Sequence, residues 1–120
     1  PLRNGTTPIF LVGDFNRMLG PNSVPAQAAL FYDVFDRTQP PVPVWDRGTH
    51  IRFDRSGQSI IKQLDGILIN RDAALRVRWA RVEPHRDENG EALPLPRDMA
   101  DRNLRSSDHY PVVAEFEFMR

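Results

Sequence analysis

Three polar clusters interrupt or terminate apolar runs in this sequence: Gly13-Asp14-Phe15-Asn16, Leu64-Asp65-Gly66 and Ser106-Ser107-Asp108-His109-Tyr110-Pro111. Together they hold three carboxylates, an amide and an imidazole. Carboxylates with open coordination positions hold hard divalent cations, which prefer oxygen donors. A histidine beside a buried aspartate keeps a proton and can act as an acid or an electrostatic clamp. That inventory suits metal-assisted hydrolysis of phosphate esters, where cations stabilise charge on the phosphoryl oxygens. Taken singly, two of the clusters have plainer readings. An Asp after Gly at a strand end, such as Asp14, commonly serves only as a turn former, and a lone Asp108-His109 pair at a turn is commonly structural. Asp65 is harder to dismiss, because a carboxylate inside an apolar strand is costly unless it is paired or hydrogen-bonded.

Apolar elements must carry these clusters. The run Ile9-Phe10-Leu11-Val12 predicts a strand buried on both faces, inside a covered sheet. Gln63 to Asn70 predicts a second buried strand with Asp65 within it, and the alternation of Val112, Ala114, Phe116 and Phe118 predicts a terminal strand. All three deliver their polar residues at strand ends, where a rigid scaffold hands side chains to a site. Ser23 as N-cap, Pro25 in the first turn and Ala26, Ala29, Leu30 and Val34 at helical spacing predict a helix running to Phe35. Gln39-Pro40-Pro41-Val42-Pro43 is a connector. His50 to Phe53 and Ile60-Ile61 read as two short strands around a turn that uses Gly57. Leu75, Val77 and Trp79 alternate with Arg76 and Arg78 in a half-buried strand, and Glu83 to Arg97 is a long polar excursion. The order of strand, helix and several strands gives an α+β class with a mainly antiparallel sheet.

At 120 residues the chain reads as one domain with room for a hydrophobic core. Its 16 basic residues balance its 16 acidic ones, which argues against coating nucleic acid by bulk charge. The absence of cysteine excludes disulfides, a thiol nucleophile and a Cys-ligated zinc site. No apolar run is long enough to span a membrane, and no signal-peptide pattern precedes the first apolar run. Arg17 and Arg105 flank the clusters and are candidate substrate-phosphate contacts, although an exposed loop arginine is the plainer reading of each. The stripe Arg76, Arg78, Arg81 is explained by a solvated strand face. Trp45 and Trp79 read as core or edge aromatics and Tyr110 as packing beside the site. His50 and His85 lack metal-ligand spacing and read as bystanders.

VGDFN at 12–16, LDGILIN at 64–70 and SSDHYPV at 106–112, in this order and in these strand contexts, resemble the C-terminal half of the endonuclease/exonuclease/phosphatase superfamily. The resemblance runs from Pro8 to Phe118. It implies the DNase I-like fold, a four-layer α-β-β-α sandwich, and a phosphoesterase dependent on Mg²⁺ or Mn²⁺, or Ca²⁺. It implies that Asp14 orients or deprotonates the attacking water, that Asn16 binds the phosphate and that Asp65 holds His109. His109 would then contact the scissile phosphate, and Asp108, with Asp14, would hold the metal. The substrate would be a phosphate ester in nucleic acid or in a phosphorylated lipid or inositol. The family's N-terminal half brings a metal-binding Glu after an apolar-Gln pair, and none of Glu83, Glu88, Glu91, Glu115 or Glu117 has that context. Residues 1–120 are therefore expected to be the C-terminal part of a single such domain. That part is expected to be inactive alone and to bind its N-terminal half, or itself, through an exposed sheet face. The competing reading is a noncatalytic module that keeps the fold without the metal site.

Overall fold

A computed structural model describes residues 6–16 and 30–119. Among them the architecture is mainly antiparallel sheet with one short helix. The strands are β1 (Phe10–Asp14), β2 (Phe31–Asp33), β3 (His50–Phe53), β4 (Ser59–Lys62), β5 (Asp65–Asn70), β6 (Leu75–Val82) and β7 (Val112–Phe118), with α1 (Met99–Asn103) between the last two. They form one sheet ordered β1-β5-β2 and two strand pairs, β3-β4 and β6-β7.

β5 is central because it can hydrogen-bond on both edges, and its Leu68 and Ile69 are fully buried. β1 runs antiparallel to it, with Asp14 opposite Asp65 and Gly13 opposite Gly66. The apolar run that predicts an interior strand instead occupies the edge of this sheet. Ile9, Phe10, Leu11 and Val12 are 54, 38, 37 and 66% exposed. Uniform apolarity marks a strand made to be covered on both sides, and here the Phe10 ring packs against the Phe116 ring at 5.3 Å.

The helix expected through Phe35 does not extend over residues 30–35, and its earlier part lies outside the described residues. Phe31, Tyr32 and Asp33 pair with Asn70, Ile69 and Leu68 of β5. Aromatic residues suit a pleated, half-buried surface better than a helix, and tertiary pairing decides in its favour. Asp33 then caps a 3₁₀ turn at Val34–Asp36, accepting the Phe35 N–H at 2.9 Å. Phe35 and Val34 are fully buried in a core with Tyr32, Ile69, Leu75 and Val77. Buried Arg47 fastens this corner, donating to the carbonyls of Val42 (2.8 Å) and Phe35 (3.2 Å) and to Asp36 Oδ1 (2.7 Å).

The β3-β4 hairpin closes through Gly57, whose φ of 84° suits glycine. In β6 a bulge between Val77 and Trp79 breaks the expected alternation, so Trp79 faces solvent beside Arg78 while Ala80 is buried. The arginine stripe is neutralised where it stands. Arg76 pairs with Glu117 at 2.6 Å, Arg78 with Glu115 at 3.4 Å, and Arg81 with Glu83. Trp45, expected at the core or an edge, is 82% exposed. The excursion after β6 is pinned at Leu93, which donates to the His85 carbonyl at 2.7 Å, and then enters α1 with Asp98 as N-cap.

Candidate functional site

The β1–β5 register sets Asp14 and Asp65 directly opposite one another at the same end of the sheet. Two carboxylates facing across a strand pair repel. Gly13 turns the chain there with a φ of 136° that side chains rarely adopt. The next turn is made by Asp14 itself, whose Oδ1 accepts the Asn16 N–H at 2.8 Å while Asn16 takes a φ of 54°.

The segment carrying Asp108 and His109 reaches this point by pairing with the start of the hairpin. Ile51 N–H donates to the Asp108 carbonyl at 3.3 Å, His50 and His109 form an antiparallel bridge, and Tyr110 N–H donates to the Thr49 carbonyl at 2.7 Å. Thr49 is fully buried, and its hydroxyl oxygen accepts the N–H groups of Leu64 at 3.0 Å and Asp65 at 2.9 Å. One side chain thus fixes the entry of β5 against the strand that carries the histidine.

His109 consequently lies among the carboxylates. Its Nδ1–H donates to Asp65 Oδ2 at 2.7 Å, and its Nε2 stands 3.9 Å from Asp14 Oδ2 and 4.0 Å from Asp108 Oδ1. The Asp65 hydrogen bond is the main reason that the His109 pKa is raised above its ordinary 6.5. Burial opposes this, and the charges of Asp65, Asp14 and Asp108 reinforce it. An imidazolium here also relieves the carboxylate repulsion across the strands. For Asp108, burial pushes the pKa up. The Arg102 hydrogen bond and charge, with help from His50, outweigh it and hold the carboxyl below its usual range.

A cleft of about 710 Å³ opens beside Asp65 and His109, lined also by Gly13, Gly66, His85 and Ser107. Asp14, Asp65, Asp108 and His109 are therefore brought together, and Asn16 is joined to Asp14 through its backbone. Arg17 lies outside the described residues. Arg105 gives an N–H to the Pro94 carbonyl at 3.0 Å, so that guanidinium braces the excursion.

Two residues read as bystanders are part of the site. His50 Nε2 lies 3.2 Å from Asp108 Oδ2, and the two histidine rings pack at 4.8 Å. His85 holds the His109 carbonyl through Nε2 at 2.9 Å and meets Ser106 Oγ through Nδ1 at 3.2 Å, with Tyr110 packed on its ring at 4.4 Å. Thr49 and Arg102 were not legible as site residues.

A hard divalent cation such as Mg²⁺ takes one or two carboxylates and completes its shell with water and phosphate oxygens. Among the described residues two groups offer ligand atoms within 4.8 Å of one another, His50 with Asp108 and His109, and Asp14 with Asp65 and His109. Comparison with protein-family models, curated proteins and solved structures finds no match to this chain.

Proposed function

We propose that this chain supplies the hydrolytic centre of a divalent-metal-dependent phosphoesterase of the endonuclease/exonuclease/phosphatase superfamily, in the C-terminal half of a DNase I-like sandwich. The observation that carries the reading is His109 itself, held by Asp65 at 2.7 Å with its Nε2 turned toward Asp14 and Asp108. A Mg²⁺ or Mn²⁺ ion held by Asp108 and Asp14 would supply Lewis-acid stabilisation of phosphoryl oxygens. His109 as imidazolium presents its Nε2–H to a phosphate oxygen and stabilises the charge that grows there. Asp65 keeps the ring in that tautomer and orientation. Asp14 Oδ2 is placed to orient water and accept its proton, while Oδ1 is occupied by the Asn16 N–H. Asn16, whose backbone adjoins Asp14, is the phosphate contact in this reading. The substrate belongs to the nucleic-acid or phosphorylated lipid and inositol classes.

The exposed apolar β1 is the surface that this reading assigns to the N-terminal half of the sandwich, so hydrolysis is assayed with both halves present. Cleavage of bis(p-nitrophenyl) phosphate is expected with Mg²⁺ or Mn²⁺, abolished by chelator and lowered by orders of magnitude in His109→Ala. Chelator-resistant turnover, or turnover unchanged in His109→Ala, refutes the mechanism. One observation favours the noncatalytic alternative: Arg102 is already ion-paired with Asp108. Under that reading no divalent ion restores hydrolysis.

A further inference from the structure

We propose that His50, Asp108 and His109 form a binding site for a borderline-soft divalent cation of the zinc class, distinct in chemistry from the hard-ion role above. The three offer ligand atoms that lie within 4.8 Å of one another. His50 and His109 are partners in an antiparallel bridge, which fixes their side chains next to each other, and both rings present Nε2 to Asp108. Imidazole nitrogen is a favoured donor for Zn²⁺ and its transition-metal neighbours, whereas Mg²⁺ sheds water reluctantly and prefers oxygen.

The spacing is close to that of an occupied site. Zinc bonds of about 2.0–2.2 Å in a tetrahedral arrangement put donors about 3.3 Å apart. His50 Nε2 and Asp108 Oδ2 already stand at 3.2 Å, and one ligand atom from each of the three residues lies within 4.8 Å of the others, so the remaining edges close by up to about 1.5 Å. The outer arrangement is also present. Asp65 accepts the Nδ1–H of His109, which directs the Nε2 lone pair at the ion, while Arg102, paired with Asp108 Oδ2, has to share that carboxylate with the ion. Three protein donors leave a fourth position open for water or an oxyanion. An ion there takes the nitrogen that the phosphoesterase reading needs as an N–H donor, so zinc would inhibit the hydrolysis that magnesium supports.

Cation binding is read directly, so failure of this site and failure of the hydrolytic reading are distinguishable. The purified protein is titrated with Co²⁺ as a spectroscopic substitute, then with Zn²⁺. Visible d–d bands of four- or five-coordinate Co²⁺ are expected in the wild type and are bleached by Zn²⁺ but not by Mg²⁺. His50→Gln should weaken Zn²⁺ affinity at least tenfold, and Asp65→Asn, through His109, by about 10–100-fold. Long-range ¹H–¹⁵N spectra of the wild type cover the case in which a variant fails to fold. Zn²⁺ should move the Nε2 resonances of His50 and His109 and leave those of His85, whose nitrogens are both occupied. An aquo-like Co²⁺ spectrum, unmoved histidine resonances, or a folded His50→Gln with unchanged affinity overturns the proposal.

Discussion

Thr49→Val is the sharpest test of how the site is held, because it changes a hydroxyl to a methyl at nearly constant volume. The Thr49 hydroxyl oxygen accepts two backbone N–H groups, from Leu64 and Asp65, at 3.0 and 2.9 Å. A buried donor left without a partner costs about 1–3 kcal/mol. Leu64 and Asp65 are only half-buried, so water recovers part of the loss and the two donors together cost about 2–4 kcal/mol. For a chain of this size that is roughly 8–16 °C in melting temperature. Urea unfolding of wild type, Thr49→Val and Thr49→Ser measures it, with an unchanged m-value showing that the stability and not the denatured state has moved. Thr49→Ser keeps the hydroxyl and should lie closer to wild type than Thr49→Val. Freed of its anchor, Asp65 should also hold His109 less well, so the Nδ1–H proton resonance should broaden or move upfield in the valine variant. A folded Thr49→Val within about 0.5 kcal/mol of wild type, with that resonance in place, refutes the argument.

Three further outcomes are expected. The His109 pKa is raised in the folded state, so its pairing with Asp65 stabilises fully below the ordinary value of 6.5 and the contribution fades as pH rises through the folded value. The stability margin of wild type over Asp65→Asn, followed by thermal melts across pH, should therefore be larger at mildly acidic pH than at alkaline pH; a margin that grows with pH contradicts the pairing. Phe35→Ala empties a fully buried core position and should cost about 3–5 kcal/mol by denaturant titration. Val12 is 66% exposed on an apolar edge strand, and Val12→Lys should raise the monomer fraction in light scattering without changing the far-UV circular dichroism.

The strands were legible where local pattern decides. Asp65 to Asn70, Val112 to Phe118 and the hairpin around Gly57 fall where alternation, apolar runs and turn chemistry put them. The residues around Leu30 to Phe35 misled because aromatic and apolar positions satisfy a helical spacing as well as a strand pairing, and only the presence of β5 settles the choice. The run before Gly13 reads as interior by composition alone, yet composition says nothing about whether a covering layer is present. The site divides in the same way. Asp65 stands out by its place inside an apolar run, whereas Asp14, Asp108 and His109 stand out only in combination with it. His50 does not, because its carboxylate partner is 58 positions away and the two meet only through strand pairing.

The tip of the β3-β4 hairpin has a practical consequence. Asp54 binds the backbone of Ser56 and Gln58 through its carboxylate, at 2.8 and 3.0 Å, and Gly57 donates to its carbonyl at 3.0 Å, so these bonds all close within residues 54–58. Extra residues grafted at 55–57 lengthen a loop whose closure costs only about 0.6 kcal/mol for each doubling of its length. One residue added between Leu64 and Gly66 instead slides β5 past β1 and reverses which face each side chain occupies. The hairpin tip is therefore the permissive position for an affinity peptide or a fluorophore, and it reports on the protein without touching the histidine that the rest of the chain converges to hold.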